Sequence, residues 1–285
     1  MGLFRRAVAL TAIGGSAAYL VCKTYIYVGT YHEAPAFRAG DLSLPSRLKY
    51  NFFGSNDDVL STKSAKICNP NKNPVTHDYF EKEIDVETTK KILAKYKTND
   101  ELLAAMQKAL LLGPTLWPHR FIVSPYLKSK DPNNRIAGFS YFEPALKKVD
   151  VASQPKTALF DIPLLPSNPS LKYLWNADDI KSSKGPLAPH TIIYGMFDFI
   201  ENGKRSDGGF FSLAFGSDLG AGSAIHRFDY FVKKNDKGEK QLVFRMVNAT
   251  FALPKGSPAP PDDTKGLHEF MTRTIVLDII RGLEY

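Results

Sequence analysis

The chain has 285 residues, 44% of them hydrophobic, which is enough apolar side chain for one large domain or two small ones. Its formal charge of +8 suits an anionic partner such as a lipid headgroup, but the basic residues are scattered and no finger, helix-turn-helix or RNP-type motif accompanies them, which argues against nucleic acid. Two cysteines, Cys22 and Cys68, lack CxxC neighbours, which excludes a disulfide framework and a thiol-based metal or redox centre.

Residues 1–30 read as a membrane anchor or targeting segment. Arg5 and Arg6 precede a charge-free run from Ala7 to Cys22. As a helix that run spans about 24 Å, and continuing to Val28 gives about 33 Å if Lys23 snorkels its ammonium outward. Tyr25, Tyr27 and Tyr31 would then sit in the interfacial aromatic belt. A cleaved signal peptide and a retained mitochondrial import leader fit the same residues, so the expected location is a single-pass anchor in a mitochondrial or endoplasmic-reticulum membrane. Residues 31–75 are rich in turn formers and read as an extended tether, and residues 76–285 as the folded domain.

Within that domain Asp85 can cap a helix running to about Tyr96. Thr98 and Glu101 have capping-box spacing for a second helix that buries Leu102, Leu103, Met106 and Leu110 and stops at Gly113-Pro114. TLWPHRFIVSPYL, RIAGFSYFEP and TALFDIPLLP then read as strands or edge segments punctuated by proline and glycine. Leu165 to Leu187 is a proline-punctuated excursion. TIIYGMFDFIE, GGFFSLAF, SAIHRFDYFVKK and KQLVFRMVNATFAL follow as four strands of antiparallel hairpins. A last helix from about Lys265 to Gly282 carries Leu267, Phe270, Met271, Thr274, Ile275 and Ile279 on one stripe.

The glycine-rich run FGSDLGAGSAI could pass for a phosphate cradle. A dinucleotide fingerprint needs strand, GxGxxG and helix in that order. Here the third glycine is missing and a strand follows, so the run reads as a turn and no cofactor is expected.

The fold class expected is α+β, a curved antiparallel sheet on a long C-terminal helix, with a single N-terminal transmembrane helix. In this order of elements, residues 85–285 resemble the helix-grip class of START-type lipid-binding domains and plant pathogenesis-related ligand binders. The resemblance implies an apolar cavity between sheet and final helix and, by analogy of fold, a hydrophobic ligand. It departs from the smaller members in the Leu165 to Leu187 insertion and the anchor.

Along HRFDYFV one face presents His226, Phe228 and Tyr230, and the other Arg227, Asp229 and Phe231. The first face can line a greasy pocket with a few orienting polar groups, or can simply be core. Tyr194 and Met196, on the same alternating face as Asp198, and Met271 and Thr274 of the last helix complete the expected ligand-binding set with Phe228. None of the six histidines stands in HExxH or has the close spacing of a zinc pair, and no GxSxG elbow occurs, so neither a metal nor a serine nucleophile is expected. The remaining catalytic option is acid–base work by His226 and Tyr230 with Asp198 or Asp229; the Asp198 carboxyl would be raised by burial among Tyr194, Met196 and Phe199. Three functions follow: a membrane-anchored binder of a lipid, isoprenoid or polyketide; a cyclase, isomerase, dehydratase or thioesterase of the same shape; or a non-catalytic assembly factor whose sheet is merely core.

Overall fold

The computed structural model describes residues 62–129, 134–156, 163–220, 222–257 and 265–284. The expected membrane span, and the tether as far as residue 61, lie outside the described residues. Among the described residues no helix is long and apolar enough to cross a membrane.

In chain order the named elements are α1 (Lys63–Cys68), β1 (Val75–Glu83), α2 (Val86–Lys95) and α3 (Asn99–Leu112). A run of short helical turns, Pro114–Leu116 and His119–Val123, leads into α4 (Ser124–Lys128). Then come β2 (Asn134–Arg135), β3 (Leu165–Pro166), β4 (Lys172–Leu174), α5 (Ala177–Lys181), β5 (Thr191–Ile193), β6 (Phe197–Lys204), β7 (Gly208–Gly216), β8 (Gly222–Lys234), β9 (Lys240–Ala252) and α6 (Lys265–Glu284).

The helix pair forms where its caps place it. Asp85 accepts from the Thr88 amide at 2.8 Å, and Thr98 and Glu101 close a reciprocal capping box at 3.2 and 3.1 Å. The next stretch departs from expectation, because TLWPHRFIVSPYL is helical. The prolines punctuate in a different sense: Pro114, just before the stretch, and Pro125 occupy first-turn positions of helical pieces, where no amide hydrogen is needed, and Pro118 immediately precedes the turn His119–Val123.

The large sheet runs β1-β9-β8-β7-β6-β5-β4. From β6 to β9 it is the expected meander of antiparallel neighbours, with the glycine-rich run turning between Gly216, at φ 81°, and Gly222. The sheet is nonetheless mixed, not antiparallel throughout, because β4 pairs parallel with β5. The Leu165 to Leu187 excursion makes this possible: α5, capped by Asn176 with Asp179, is the crossover a parallel neighbour requires. TIIYGMFDFIE is two strands, β5 and β6, about a turn with Tyr194 at φ 56° and Gly195 at φ 70°, closed by the Met196 amide on the Ile193 carbonyl at 3.0 Å. Two successive positive φ angles are the type I′ arrangement.

One face of the sheet carries α2, α3 and α6, with α6 against α3, β1 and β9. Phe199, Phe211 and Phe228 stack across β6, β7 and β8 on this face, with centroids 6.1 and 4.8 Å apart. Burying each such ring contributes about 1.5–3 kcal/mol. The opposite face is covered in part by α1, whose Cys68 is fully buried, so a piece of the predicted tether is folded against β6, β7 and β8. On that face Asp229 accepts from Arg227, Arg205 and Arg245 at 3.0 to 3.3 Å, which assigns it to a structural ion network.

Candidate functional site

On the helix face, His226 of β8 lies directly opposite Asn248 of β9. Its Nδ1 donates to Asn248 Oδ1 at 2.6 Å, and Asn248 Nδ2 donates to Thr272 Oγ1 of α6 at 2.6 Å. The acceptor oxygen assigns the proton to Nδ1. The same bonds occupy Asn248 of the Asn-Ala-Thr sequon, which is only 7% exposed and leaves no room for a glycan. Phe197 brings this chain of polar groups next to His119, its ring lying 5.9 Å from His226 and 5.7 Å from His119.

His119 Nδ1 is buried with no hydrogen-bond partner among the described residues, although the residue as a whole is only partly buried. Burial, then the positive fields of His226 and Arg120, hold its imidazole down at about 4. The unfolded chain accepts a proton near pH 6.5 that the folded chain refuses until about pH 4. This contribution to stability is therefore complete above the upper value and is lost as pH falls through the window. His119→Phe is expected to remove on the order of 2 kcal/mol of the stability lost between about pH 7 and pH 4. Urea midpoints of both proteins at the two pH values check it, and identical pH slopes would place the imidazole in water.

Tyr230, two pleats along β8 from His226, serves a different place. Its hydroxyl donates to Asn99 Oδ1 at 2.6 Å, and burial pushes the phenol up to about 12. It forms part of the floor of a cavity of about 470 Å³ at the end of the sheet, beneath the α2–α3 junction, together with Leu93, Leu102 and Val232. Lys97, Lys233, Lys234 and Lys240 stand at its mouth, with Asp207. Lys233 pairs with Glu83, whereas Lys97, Lys234 and Lys240 have no ion-pair partner among the described residues. Lys234 and Lys240 are directly opposed across β8 and β9, where like charges repel.

Asp198 does not join His226 and Tyr230. It is fully buried on the other face, with Oδ2 at 2.9 Å from His190 Nδ1. Burial raises its carboxyl above the usual range against the opposing pull of His190 and Arg135. His190, at φ 63°, stacks on Phe142 at 4.5 Å and turns its buried Nε2 toward Glu143 at 3.9 Å. Glu143 accepts from Arg135 at 2.6 and 2.7 Å and from Asn168 at 2.9 Å. Burial opposes its ionisation, but the hydrogen bonds from Arg135 and Asn168 outweigh it and hold the carboxyl below the usual range. This cluster clasps the 134–148 segment to the sheet, with His190 Nε2 buried and without a hydrogen bond among the described residues.

The expected ligand-binding residues are mostly packed. Tyr194, Met196, Phe228 and Thr274 are each at most 2% exposed, and Met271 is half-buried. Tyr194 and Met196 belong to the β5–β6 turn and do not share a strand face with Asp198. The Tyr194 hydroxyl donates to the Leu111 carbonyl at 2.6 Å, and burial raises this phenol as well. Sequence reasoning passed over His190, Thr272 and the lysine mouth, and met His119 only within the Trp117-Pro118-His119-Arg120 turn and Asn248 only as an unused sequon. For the lysine mouth there was a signal in KKNDKGEK, where lysines flank a tight turn and must face one another. No protein-family model matches the chain, and no curated protein matches it.

Proposed function

We propose that this domain binds an anionic amphiphile, a lipid, isoprenoid or polyketide with an acidic end, in the cavity beneath the α2–α3 junction. The observation that carries the reading is the pairing of an apolar floor, Leu93, Leu102, Tyr230 and Val232, with a mouth where Lys234 and Lys240 oppose each other without carboxylate partners among the described residues. A bound acid would relieve that repulsion while its chain fills the floor, and the volume of about 470 Å³ lies in the range of small-molecule sites. The place differs from the resemblance, which put the ligand under the C-terminal helix. An acid–base enzyme has less support, because the sheet separates His226 from Asp198.

The test is native mass spectrometry of the full chain from a eukaryotic host, followed by binding of a fluorescent fatty acid. Lys234→Glu with Lys240→Glu is expected to weaken binding by about tenfold or more, the equivalent of about 1.4 kcal/mol. Val232→Trp should block the floor while the fold persists. Binding untouched by either change would reject this cavity, and a protein that arrives empty and takes up no amphiphile would favour the assembly-factor reading.

A further inference from the structure

Between Gly113 and Ser129 the chain carries four of the five exposed large hydrophobic side chains among the described residues, the fifth being Tyr141. Trp117, Phe121, Ile122 and Tyr126 are 47%, 57%, 54% and 45% exposed. Four large apolar side chains within ten residues form a contiguous patch of the kind that marks an interaction surface, and Trp117 and Phe121 touch at 5.2 Å between centroids. Buried side chains and hydrogen bonds fasten the patch to the domain. Leu116 and Leu127 are buried beneath it, and Ser124 Oγ donates to the Trp175 carbonyl at 2.6 Å. Arg120 Nη1 donates to the Leu111 and Gly113 carbonyls at 2.6 and 3.0 Å, fastening the segment to the end of α3. The π-helical turn His119–Val123 buries no whole residue and sets Phe121 and Ile122 side by side on the outside.

Composition and charge select the partner. Tryptophan, tyrosine, phenylalanine and isoleucine together are what settles at the headgroup level of a bilayer. Between Glu101 and Ser129 the sequence has no acidic residue, while Lys108, Arg120 and Lys128 are basic, so the flank complements an anionic surface.

We propose that Trp117, Phe121, Ile122 and Tyr126 form a membrane-contact surface, by which the folded domain itself rests at the interfacial depth of an anionic bilayer. This contact is separate from the apolar leader and from the lysine-mouthed cavity: the patch follows the last residue of α3, whereas Asn99 at the first lines the cavity, about 20 Å away along that helix.

Only two tryptophans are present, so Trp175→Phe in the full chain leaves Trp117 as a sole reporter. The protein is reconstituted into phosphatidylcholine vesicles containing phosphatidylserine. Trp117 emission is expected to move to shorter wavelength than in detergent-free, vesicle-free protein, to be quenched by lipids brominated high on the acyl chain, and to lose part of that quenching at high salt. Adding Phe121→Glu and Ile122→Glu should abolish the quenching while the leader still carries the protein into the vesicle fraction. Trp117 emission that remains quenchable by aqueous iodide and untouched by brominated lipid overturns the proposal. So does shielding of Trp117 without vesicles together with cross-linking of a second copy, which would make the patch a protein interface. Should Trp175→Phe disturb its stack on Tyr173, the wild-type protein measured against Trp117→Phe gives the same difference signal. Ligand uptake in the cavity is read separately, so either proposal can fail without the other.

Discussion

Arg135→Met is expected to destabilise the domain by about 3–5 kcal/mol, since it strands a buried carboxylate. Arg135 is 1% exposed and meets Glu143 through both terminal nitrogens, while Nε and Nη1 also donate to the Pro166 and Ala137 carbonyls at 3.2 and 3.1 Å. After the change Glu143 keeps only Asn168 and the more distant His190 ring. Methionine preserves much of the volume, so the loss reports charge and not a void. Glu143→Leu on top of Arg135→Met removes the stranded charge and should recover a large part of the loss, because two apolar groups need no partner. The sign with pH follows from the lowered Glu143 carboxyl. In the wild type its contribution is present above the ordinary glutamate value of 4.5 and is lost as pH falls through the lower folded value. The variant has no such contribution to lose, so the gap between the two proteins narrows in acid. Urea midpoints across pH measure it; a penalty below about 1 kcal/mol, unchanged with pH, would show that the pair does not hold the 134–148 segment.

The parts of the fold that could be read in the sequence are those whose determinants are local. Asp85, Thr98 and Glu101 place the helix pair because a cap needs only the next three residues. The β6 to β9 meander is visible as alternation between turn formers, and α6 as one stripe. What escaped depends on single residues with two meanings. Proline reads equally as a strand boundary and as a first-turn helix residue, and in 114–128 the second holds. Tyr194 at φ 56° carries no mark of its turn, since a bulky side chain is an unusual choice there. That one miss also hid the His190–Asp198 contact. Read as a straight strand, their eight-residue separation would span about 26 Å; the turn folds them to 2.9 Å. His226 could be placed on a face by alternation alone, but Asn248 and Thr272 become its neighbours only through the β8–β9 register and the seat of α6. The lysine mouth was legible only in part: KKNDKGEK sets Lys234 against Lys240 across a turn, but the apolar floor behind them is assembled by Leu93 and Leu102 of the helix pair.

Phe228→Ala is the second change with a large expected effect, about 3–5 kcal/mol, and it separates core from ligand site. The ring is 2% exposed and stacks on Phe211 at 4.8 Å, in the middle of the sheet's helix face. Alanine there opens a void among Phe211, Phe199 and the helices above, and a sheet pinned on both sides by neighbouring strands cannot collapse to fill it. Phe228→Leu keeps more of the volume and should cost far less, below about 1.5 kcal/mol after repacking. Val232 lies two pleats beyond Phe228 on the same face but at the cavity floor. Truncating it removes contacts to a ligand and little packing, so Val232→Ala should weaken amphiphile binding by a few-fold at nearly constant stability. The decisive comparison is between these positions, with thermal unfolding and fluorescent fatty-acid binding measured on each protein. Stability loss at Phe228 with unchanged affinity of the folded fraction, beside affinity loss at Val232 with unchanged stability, assigns the first to core and the second to the site. Were Phe228→Ala to leave stability nearly intact and alter binding instead, a cavity would have to reach the centre of the sheet, as the resemblance to ligand-binding helix-grip domains implied.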